Sequence, residues 1–283
     1  LLLENVHPVA TKVLEAAGFE VVTRPGALDE PELIDAVHGF QLLGIRSKTE
    51  LTSRVCSALP SLLAVGVFAI GTNQVNLAAA AAHGVAVFNA PYSNTRSVVE
   101  LTLAEIIALT RRLTALDKAL HEGVWDKTAS GAHEVRGRIL GIVGYGNIGA
   151  QLSVLAEALG MTVYFYDTVD KLALGNARRC ATLDELLAVA DIVTLHVDGR
   201  PGNAGLFGAK QFAAMKSGAV FLNLSRGFVI DTAALRDRLL SGHLAGAAVD
   251  VFPVEPSGRG EEFRNELRDV PNVILTPHIG GST

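Results

Sequence analysis

A chain of 283 residues, 49% hydrophobic and 19% charged, is long enough for about two globular domains and too apolar to be disordered. Its formal net charge of −5, with no run of Lys or Arg to offset it, argues against nucleic acid as the main partner. Two widely separated cysteines exclude a disulfide scaffold and indicate a reducing compartment, and no apolar run is long enough to cross a membrane.

The first third of the chain alternates short apolar runs with helical patterns, which is typical of a parallel sheet covered by helices. Three runs are predicted to be strands of such a sheet: 41–45, 62–68 and 85–88. A helix is predicted at 75–82, with a stop signal at Gly84. Residues 95–121 then read as one long helical stretch, which exceeds the repeating unit before it.

The alternation resumes after that helix. Six further strands are predicted, at 139–143, 162–167, 191–197, 219–224, 246–251 and 273–276. Thr182 and Glu185 form a capping-box pattern that starts another helix. The sequence therefore predicts an α/β protein with two parallel-sheet domains of Rossmann-like or flavodoxin-like type, divided near Asn89 to Pro91.

A glycine-rich turn follows the predicted strand 139–143. Gly144, Gly146 and Gly149 have the GxGxxG spacing at the start of a predicted helix. The first glycine permits the tight turn, the second lets the backbone approach a pyrophosphate, and the third lets the helix pack on the strand. The helix N-terminus then attracts the anion. Glycine turns also occur for structural reasons alone, so the motif needs support from its context.

That support comes from Asp167, which ends the next predicted strand. A carboxylate at this position accepts hydrogen bonds from the adenosine ribose hydroxyls of a dinucleotide. No Arg follows directly, since residues 168–170 are Thr, Val and Asp, so the sequence predicts NAD rather than NADP. The alternative interpretation of Asp167 is a surface charge.

Three ionisable side chains follow three predicted strands: Arg226, Glu255 and His278. Ligands of open α/β sheets bind at the carboxyl ends of the strands, so these side chains are expected to converge on one rim. Arg fits a carboxylate, His transfers a proton near neutral pH, and Glu acts on the His. Each residue alone has a structural alternative, but the combination beside a nicotinamide site favours catalysis.

At these motifs the chain resembles the D-2-hydroxyacid dehydrogenase family. The matching segments are GIRSKT, GTNQVN, VFNAPYSNTRSVVEL, GVWDK, GIVGYGNIG, YFYD, LNLSRG, AAVDVFPVEP and LTPHIGGST. The resemblance implies that Arg226, Glu255 and His278 are catalytic. It also implies a substrate-binding domain at 1–89 with a return segment at 276–283. An NAD-binding Rossmann domain at 90–275 would carry a dimerisation arm at about 95–135, with the active site in the cleft between the domains.

The same resemblance implies further contacts. The substrate contacts are Arg46, Lys48, Ile70, Gly71, Asn94, Trp125 and Lys127. Among them, Arg46 and Lys48 would bind a substrate phosphate, and Trp125 and Lys127 would reach the neighbouring subunit's site. The cofactor contacts are Gly144, Gly146, Asn147, Ile148, Gly149, Asp167, His196, Val197, Asp250 and Gly280.

Two features depart from the family pattern. Asp198 and Gly199 stand where members have Pro after His196 and Val197, which predicts a looser loop over the cofactor. The chain also stops at Thr283, where members cross back to the first domain, so it resembles a catalytic fragment without a C-terminal regulatory part.

Three functions stay open from the sequence. The first is NAD-dependent oxidation of 3-phospho-D-glycerate to 3-phosphohydroxypyruvate, the first step of L-serine biosynthesis, together with 2-oxoglutarate reduction. Arg46 and Lys48 favour it, because a phosphate needs cations. The second is another D-2-hydroxyacid dehydrogenase, such as a glyoxylate or hydroxypyruvate reductase, and the third is a non-enzymatic NAD-sensing module. The expected protein is cytoplasmic, a homodimer or dimer of dimers acting on a phosphorylated 2-hydroxy acid, with no metal, nucleic acid or membrane partner.

Overall fold

The structure, a computed structural model, describes residues 1–256 and 260–283. The chain divides into two compact units, Leu1–Ser93 and Asn94–Thr283. Residues 276–283 were expected to return to the first domain, but they belong to the second compact unit. The assignment of one domain to substrate and one to cofactor stays a prediction.

The first unit contains a three-stranded parallel sheet in the order β1-β2-β3, formed by β1 (Leu42–Ile45), β2 (Ala64–Val67) and β3 (Ala86–Asn89). Its helices are α1 (Pro8–Ala16), α2 (Glu30–Val37), α3 (Ser53–Ala58) and α4 (Leu77–Ala82). The three predicted strands and the predicted helix 75–82 are confirmed, with ends shifted by one or two residues. Helix α2 and the sheet share one buried apolar core, which stabilises the strands. Its members include Leu33, Val37, Leu43, Ile45 and Val65.

The second unit contains a seven-stranded sheet in which every pairing is parallel. Its strands are β4 (Ile139–Val143), β5 (Thr162–Tyr166), β6 (Arg178–Arg179), β7 (Ile192–Leu195), β8 (Ala219–Asn223), β9 (Leu244–Val249) and β10 (Val273–Leu275). Their order across the sheet is β10-β9-β8-β7-β4-β5-β6. From β4 the chain adds β5 and β6 on one side, and it then returns to add β7, β8, β9 and β10 on the other side of β4. The boundary between β4 and β7 is therefore the topological switch point, where such sheets bind ligands.

The six strands predicted for this part are confirmed, and β6 is an addition. Its two residues, Arg178 and Arg179, carry no apolar pattern that could have predicted a strand. They pair with Tyr164 and Phe165 of β5. The pairing is thus a consequence of tertiary structure, and it brings Arg179 towards the end of β5.

The helices of the second unit are α5 (Thr95–Thr110), α6 (Leu113–His121), α7 (Asn147–Ala158), α8 (Leu183–Val189), α9 (Ala209–Ala214) and α10 (Thr232–Leu240). The prediction of one continuous helix over 95–121 is wrong. Arg112 adopts the left-handed conformation, with φ 54° and ψ 33°, and this separates α5 from α6. A left-handed residue cannot continue a right-handed helix. Arg is a good helix former, so neither its propensity nor a Gly or Pro marked the break.

Strand β8 shows how the sheet is fixed between two cores. Val220 and Leu222 belong to a core that also contains Ile106 of α5, whereas Ala219 and Phe221 face the opposite core. This alternation is the period-two pattern of a strand covered on both faces. Full burial of one such large apolar side chain contributes about 1.5–3 kcal/mol. The carboxyl ends of the strands are therefore held by packing on both sides.

Among the described residues, no helix is both long enough and apolar enough to span a membrane.

Candidate active site

The turn after β4 needs glycine at two positions for packing and has an open space at a third. Gly144 has φ +92°, and a Cβ there would lie 2.6 Å from the carbonyl oxygen of His196. A Cβ on Gly149 would lie 2.3 Å from the carbonyl oxygen of Gly144, so α7 packs directly on the end of β4. A Cβ on Gly146 would meet no protein atom within 4 Å. The protein's own packing therefore does not require glycine at position 146, and the backbone there is open to the approach of a ligand.

Helix α7 begins at this turn with Asn147 and Ile148. Its N-cap is Gly146, which has no side chain to accept a hydrogen bond from the first turn. Ile148 packs against the buried core beneath the turn. The positive end of α7 is therefore directed to the edge where the glycine turn leaves space, and this arrangement fits the diphosphate of a dinucleotide.

Asp167 is held beside the glycine turn by two backbone donors. One carboxylate oxygen accepts a hydrogen bond from Tyr145 N–H at 2.8 Å, and the other from Val169 N–H at 2.9 Å. A carboxylate has about four acceptor sites, so sites are left over for ribose hydroxyls. Arg179 is a neighbour of Asp167 that the sequence did not predict. Arg179 lies 3.5 Å from the carbonyl oxygen of Asp167, while its guanidinium donates to Asp170 at 2.8 Å.

Arg226 follows β8, and its position is fixed by its neighbours. Buried Asn223 donates from its amide to the carbonyl of Arg226 at 3.1 Å and accepts from the Ser225 hydroxyl at 2.7 Å. A Cβ on Gly227 would lie 1.9 Å from the carbonyl carbon of Phe252, so this turn rests directly on the segment after β9. The close contact needs glycine, and it brings Arg226 to the segment that carries Glu255.

The guanidinium of Arg226 is half-buried and donates to the carbonyl of Ser225 at 2.7 Å. Burial lowers the pKa of Arg226, while the carboxylates of Glu255 and Asp198 act in the opposite direction. Arg remains charged in proteins. The site therefore holds a fixed positive charge on a planar group of the kind that binds carboxylates.

His278 and Glu255 form a direct pair, with His278 Nδ1 2.8 Å from a carboxylate oxygen of Glu255. The other Glu255 oxygen accepts from Phe252 N–H at 3.0 Å. The hydrogen bond to Glu255 is the main reason that the pKa of His278 is raised, although burial opposes it. Burial alone would raise the pKa of Glu255, but the bonds from His278 and Phe252 and the charge of Arg226 lower it. Both members of the pair remain accessible to solvent: the side chain of His278 is 51% exposed and that of Glu255 is 36% exposed.

Asp250 holds the segment that carries His278. Its buried carboxylate accepts hydrogen bonds from the Thr276 hydroxyl at 2.6 Å and from the N–H groups of Ile279 and Gly280, both at 2.8 Å. The carbonyl of Asp250 also accepts from His278 N–H at 2.8 Å. His278 itself has a left-handed backbone with φ 54°. Such a conformation needs support from its surroundings, which Asp250 supplies.

Glu105 lies in the buried face of α5 and was missed by the sequence reasoning. It is 3% exposed. Burial, followed by the charge of Asp250, raises its pKa to about 8. The group is therefore mostly a neutral acid at pH 7, next to the carboxylate that holds the His278 segment. A carboxyl group within the apolar run LTLAEIIALT was the signal that could have found it.

His196 and Val197 follow β7 opposite the glycine turn. His196 Nε2 lies 3.0 Å from the Thr194 hydroxyl, and burial lowers the pKa of His196 to about 3, so the ring is neutral. The loop after Val197 was predicted to be loose because it lacks Pro. Within this loop the Asp198 carboxylate accepts hydrogen bonds from the side chains of Arg200 and Asn203, both at 2.9 Å, and the looser loop stays a prediction.

The first unit carries the other predicted substrate residues at the carboxyl edge of its sheet. Arg46 and Lys48 are exposed in the loop after β1. Ile70 and Gly71 follow β2, and the carbonyl of Ile70 accepts from the Asn89 amide at 2.7 Å. The structure thus places two cations and a main-chain segment on one edge of the three-stranded sheet.

Asn94, Trp125 and Lys127 belong to the second unit. Asn94 precedes α5 and contacts the His278 segment, since a Cβ on Gly281 would lie 2.3 Å from its side-chain nitrogen. Its Oδ1 is buried without a hydrogen-bond partner in the part of the chain that the structure describes. Trp125 and Lys127 follow α6 and are exposed, Trp125 to 80%.

The chain was also compared with known proteins. Residues 103–280 match the model of the D-isomer specific 2-hydroxyacid dehydrogenase NAD binding domain. The D-3-phosphoglycerate dehydrogenase of Haemophilus influenzae is 52% identical over 284 residues, which covers all of this chain and 69% of that protein. D-3-phosphoglycerate dehydrogenase 1 of Saccharomyces cerevisiae is 50% identical, with coverage of 100% and 62%. The Aquifex aeolicus D-lactate dehydrogenase, solved with NAD and lactic acid, superposes with a TM-score of 0.85 at 25% identity, with coverage of 100% and 89%.

Proposed function

Because this chain belongs to the D-isomer specific 2-hydroxyacid dehydrogenase family, we propose that it oxidises 3-phospho-D-glycerate to 3-phosphohydroxypyruvate with NAD, the first step of L-serine biosynthesis. One observation supports the chemistry most directly. His278 is paired with Glu255 at 2.8 Å on the sheet rim that also carries Arg226. The choice of substrate rests on the 52% identity to a relative named for it.

The proton transfer is assigned to His278. Because Nδ1 faces the Glu255 carboxylate, it carries the hydrogen of the neutral ring, and Nε2 is left as the base that takes the proton of the C2 hydroxyl. Glu255 fixes this tautomer and stabilises the imidazolium that forms. Arg226 binds the substrate carboxylate through its planar fork and polarises the C2 oxygen. NAD, when bound, supplies the hydride acceptor.

The cofactor would be held by the glycine turn of Gly144, Gly146 and Gly149 at the pyrophosphate and by Asp167 at the adenosine ribose. Around the nicotinamide we place His196, Val197, Asp250 and Gly280. Three protein donors occupy Asp250, so about one acceptor site is left for a carboxamide N–H.

Purified protein is expected to reduce NAD when 3-phospho-D-glycerate is added, and this measurement tests the proposal. Faster turnover of glyoxylate or hydroxypyruvate with NADH, and none of 3-phospho-D-glycerate, would favour the second candidate, another 2-hydroxyacid dehydrogenase. Binding of NAD without turnover of any of these acids would identify an NAD-sensing module. The two cysteines are buried and free, which fits the cytoplasmic location that belongs to this proposal.

Arg46→Ala is expected to raise KM for 3-phospho-D-glycerate far more than KM for 2-oxoglutarate, which has no phosphate. Loss of one charge-assisted contact costs about 1.5–3 kcal/mol, or roughly one to two orders of magnitude in KM. Arg54→Ala is the matched control, because Arg54 is an exposed Arg of the same unit that pairs with Glu30. An equal effect on both substrates would show that Arg46 binds acids in general or is structural.

NAD is expected to support turnover far better than NADP, because Asp167 would repel a 2′-phosphate. Asp167→Ala should narrow the difference in kcat/KM between the two cofactors. Arg179, whose guanidinium lies 3.5 Å from the carbonyl oxygen of Asp167, then supplies a cation for a 2′-phosphate. Equal rates of the unmutated protein with both cofactors would contradict the role of Asp167.

The protein is expected to be a two-fold homodimer built on the second unit, with the exposed Trp125 covered by the partner. Trp125 on one subunit would then lie near the substrate site of the other. Light scattering at micromolar concentration measures the mass, and a monomer would exclude this arrangement. A dimer that persists after Trp125→Ala, with KM unchanged, would separate assembly from this contact.

A further inference from the structure

Glu4 is a buried carboxylate that the proposed chemistry does not use. It is 7% exposed. One of its oxygens accepts hydrogen bonds from the N–H groups of Arg46 at 3.1 Å and Thr49 at 2.8 Å. The other accepts from the N–H groups of Ser47 and Lys48, both at 3.0 Å. Four successive backbone N–H groups therefore point at one carboxylate.

Such a run of N–H groups forms a concavity that binds anions. In this chain the anion is supplied by Glu4 itself, and each of the four hydrogen bonds is charge-assisted. Burial alone would raise the pKa of Glu4, but the hydrogen bonds from the loop outweigh burial and lower it. The carboxylate is therefore ionised at neutral pH.

The backbone around Glu4 indicates that its position is specified. Glu4 and Asn5 both have left-handed conformations, with φ 59° and 53°. Residues other than glycine adopt this region rarely, and they keep it where surrounding contacts hold them. The N–H of Glu4 donates to the carbonyl of Gly26 at 2.9 Å. The left-handed backbone at Glu4 and Asn5 is unfavourable, and the contact of the Glu4 carboxylate with the 46–49 loop helps to hold it.

The loop presents its cations outwards as a result. The N–H groups of residues 46–49 are turned towards Glu4, whereas the Arg46 and Lys48 residues are exposed. The Gln74 side chain holds the carbonyl of Arg46 from another direction. The backbone of the loop is thus fixed at each of its four residues.

We propose that Glu4 is a positioning residue for the substrate phosphate, because its carboxylate fills the anion-binding concavity of residues 46–49 and holds Arg46 and Lys48 in place to bind it. The role of the loop in binding phosphate rests on the proposed function, whereas the occupation of the concavity by Glu4 does not. It follows that the phosphate is bound by the two side chains and not by the loop N–H groups, which Glu4 already occupies.

Glu4→Gln tests the proposal with little change in size. Each Glu4 oxygen accepts two N–H groups, so an amide nitrogen in either position would face two donors with no acceptor. We expect KM for 3-phospho-D-glycerate to rise about tenfold or more, while kcat and the Kd for NAD change by less than about twofold. Glu15→Gln is the matched control, since Glu15 is an exposed carboxylate of the same unit.

Glu4→Ala adds a rescue experiment, because it empties the concavity. Acetate, compared with chloride at equal ionic strength, is expected to raise the Tm of Glu4→Ala and to lower its KM towards the unmutated value. The same addition should leave the unmutated protein and Glu15→Gln unaffected. If Glu4→Ala does not fold, amide hydrogen exchange of residues 46–49 in Glu4→Gln measures the same loss of order, and faster exchange is expected.

A Glu4→Gln variant with a lower Tm but an unchanged KM for 3-phospho-D-glycerate would overturn the proposal, because Glu4 would then serve the fold alone. An equal rise in KM for 2-oxoglutarate would also overturn it. If the unmutated protein does not oxidise 3-phospho-D-glycerate, the proposed function fails. The occupation of the concavity by Glu4 is then judged without substrate: no acetate effect on Tm and no change in exchange at 46–49 would refute it.

Discussion

His278→Ala is expected to lower kcat for 3-phospho-D-glycerate oxidation by roughly two to four orders of magnitude, because it removes the group that takes the hydroxyl proton. Binding of NAD should change little, since the glycine turn and Asp167 are untouched. His83→Ala serves as the control, as His83 is exposed and lies in the other unit. Single-turnover kinetics would localise the loss to the chemical step.

Glu255→Gln separates catalysis from structure at the same pair. Its carboxylate is the main cause of the raised pKa of His278. His278 must be unprotonated to act as the base, so its pKa sets the acidic limb of kcat/KM for oxidation. A neutral amide in place of the carboxylate lets that pKa fall, and the acidic limb should move to lower pH. A variant that loses stability but keeps the pH profile would remove Glu255 from the mechanism.

Arg226→Lys is expected to lower kcat/KM by about two orders of magnitude while the Kd for NAD stays nearly constant. Lys keeps the positive charge but cannot offer the two parallel N–H donors with which Arg binds a carboxylate. The loss corresponds to about 2.7 kcal/mol of transition-state stabilisation. The experiment compares steady-state kinetics with the affinity for NAD measured by titration.

Arg264→Lys is the matched control for this substitution, because Arg264 is an exposed Arg of the second unit that pairs with Glu262. If Arg226→Lys retained full kcat/KM, a point charge would be sufficient and bidentate binding would be excluded. If it lost affinity for NAD as well, Arg226 would act on the cofactor or on the turn after β8. We expect neither result: kcat/KM should fall while the affinity for NAD stays nearly constant.

The sequence by itself determined six of the seven strands in the sheet of the second unit and the kind of ligand that its turn accepts. Buried strands such as 219–224 are short apolar runs, and the GxGxxG turn and Asp167 are separated by one helix and one strand. These features are encoded locally, so spacing is enough to place them. Arg226, Glu255 and His278 could be named because each follows a strand, and parallel strands end at a common edge.

Only the tertiary structure decided which groups support them. Asp250 holds the segment of His278 across 26 to 30 residues of chain, and Glu4 meets the 46–49 loop from 42 to 45 residues away. Arg179 reaches Asp167 through a two-residue strand without an apolar pattern. The break at Arg112 is a backbone conformation that its side chain does not favour. Such features depend on how distant segments meet, and a single polar contact or a single backbone conformation leaves no periodic signal in the sequence.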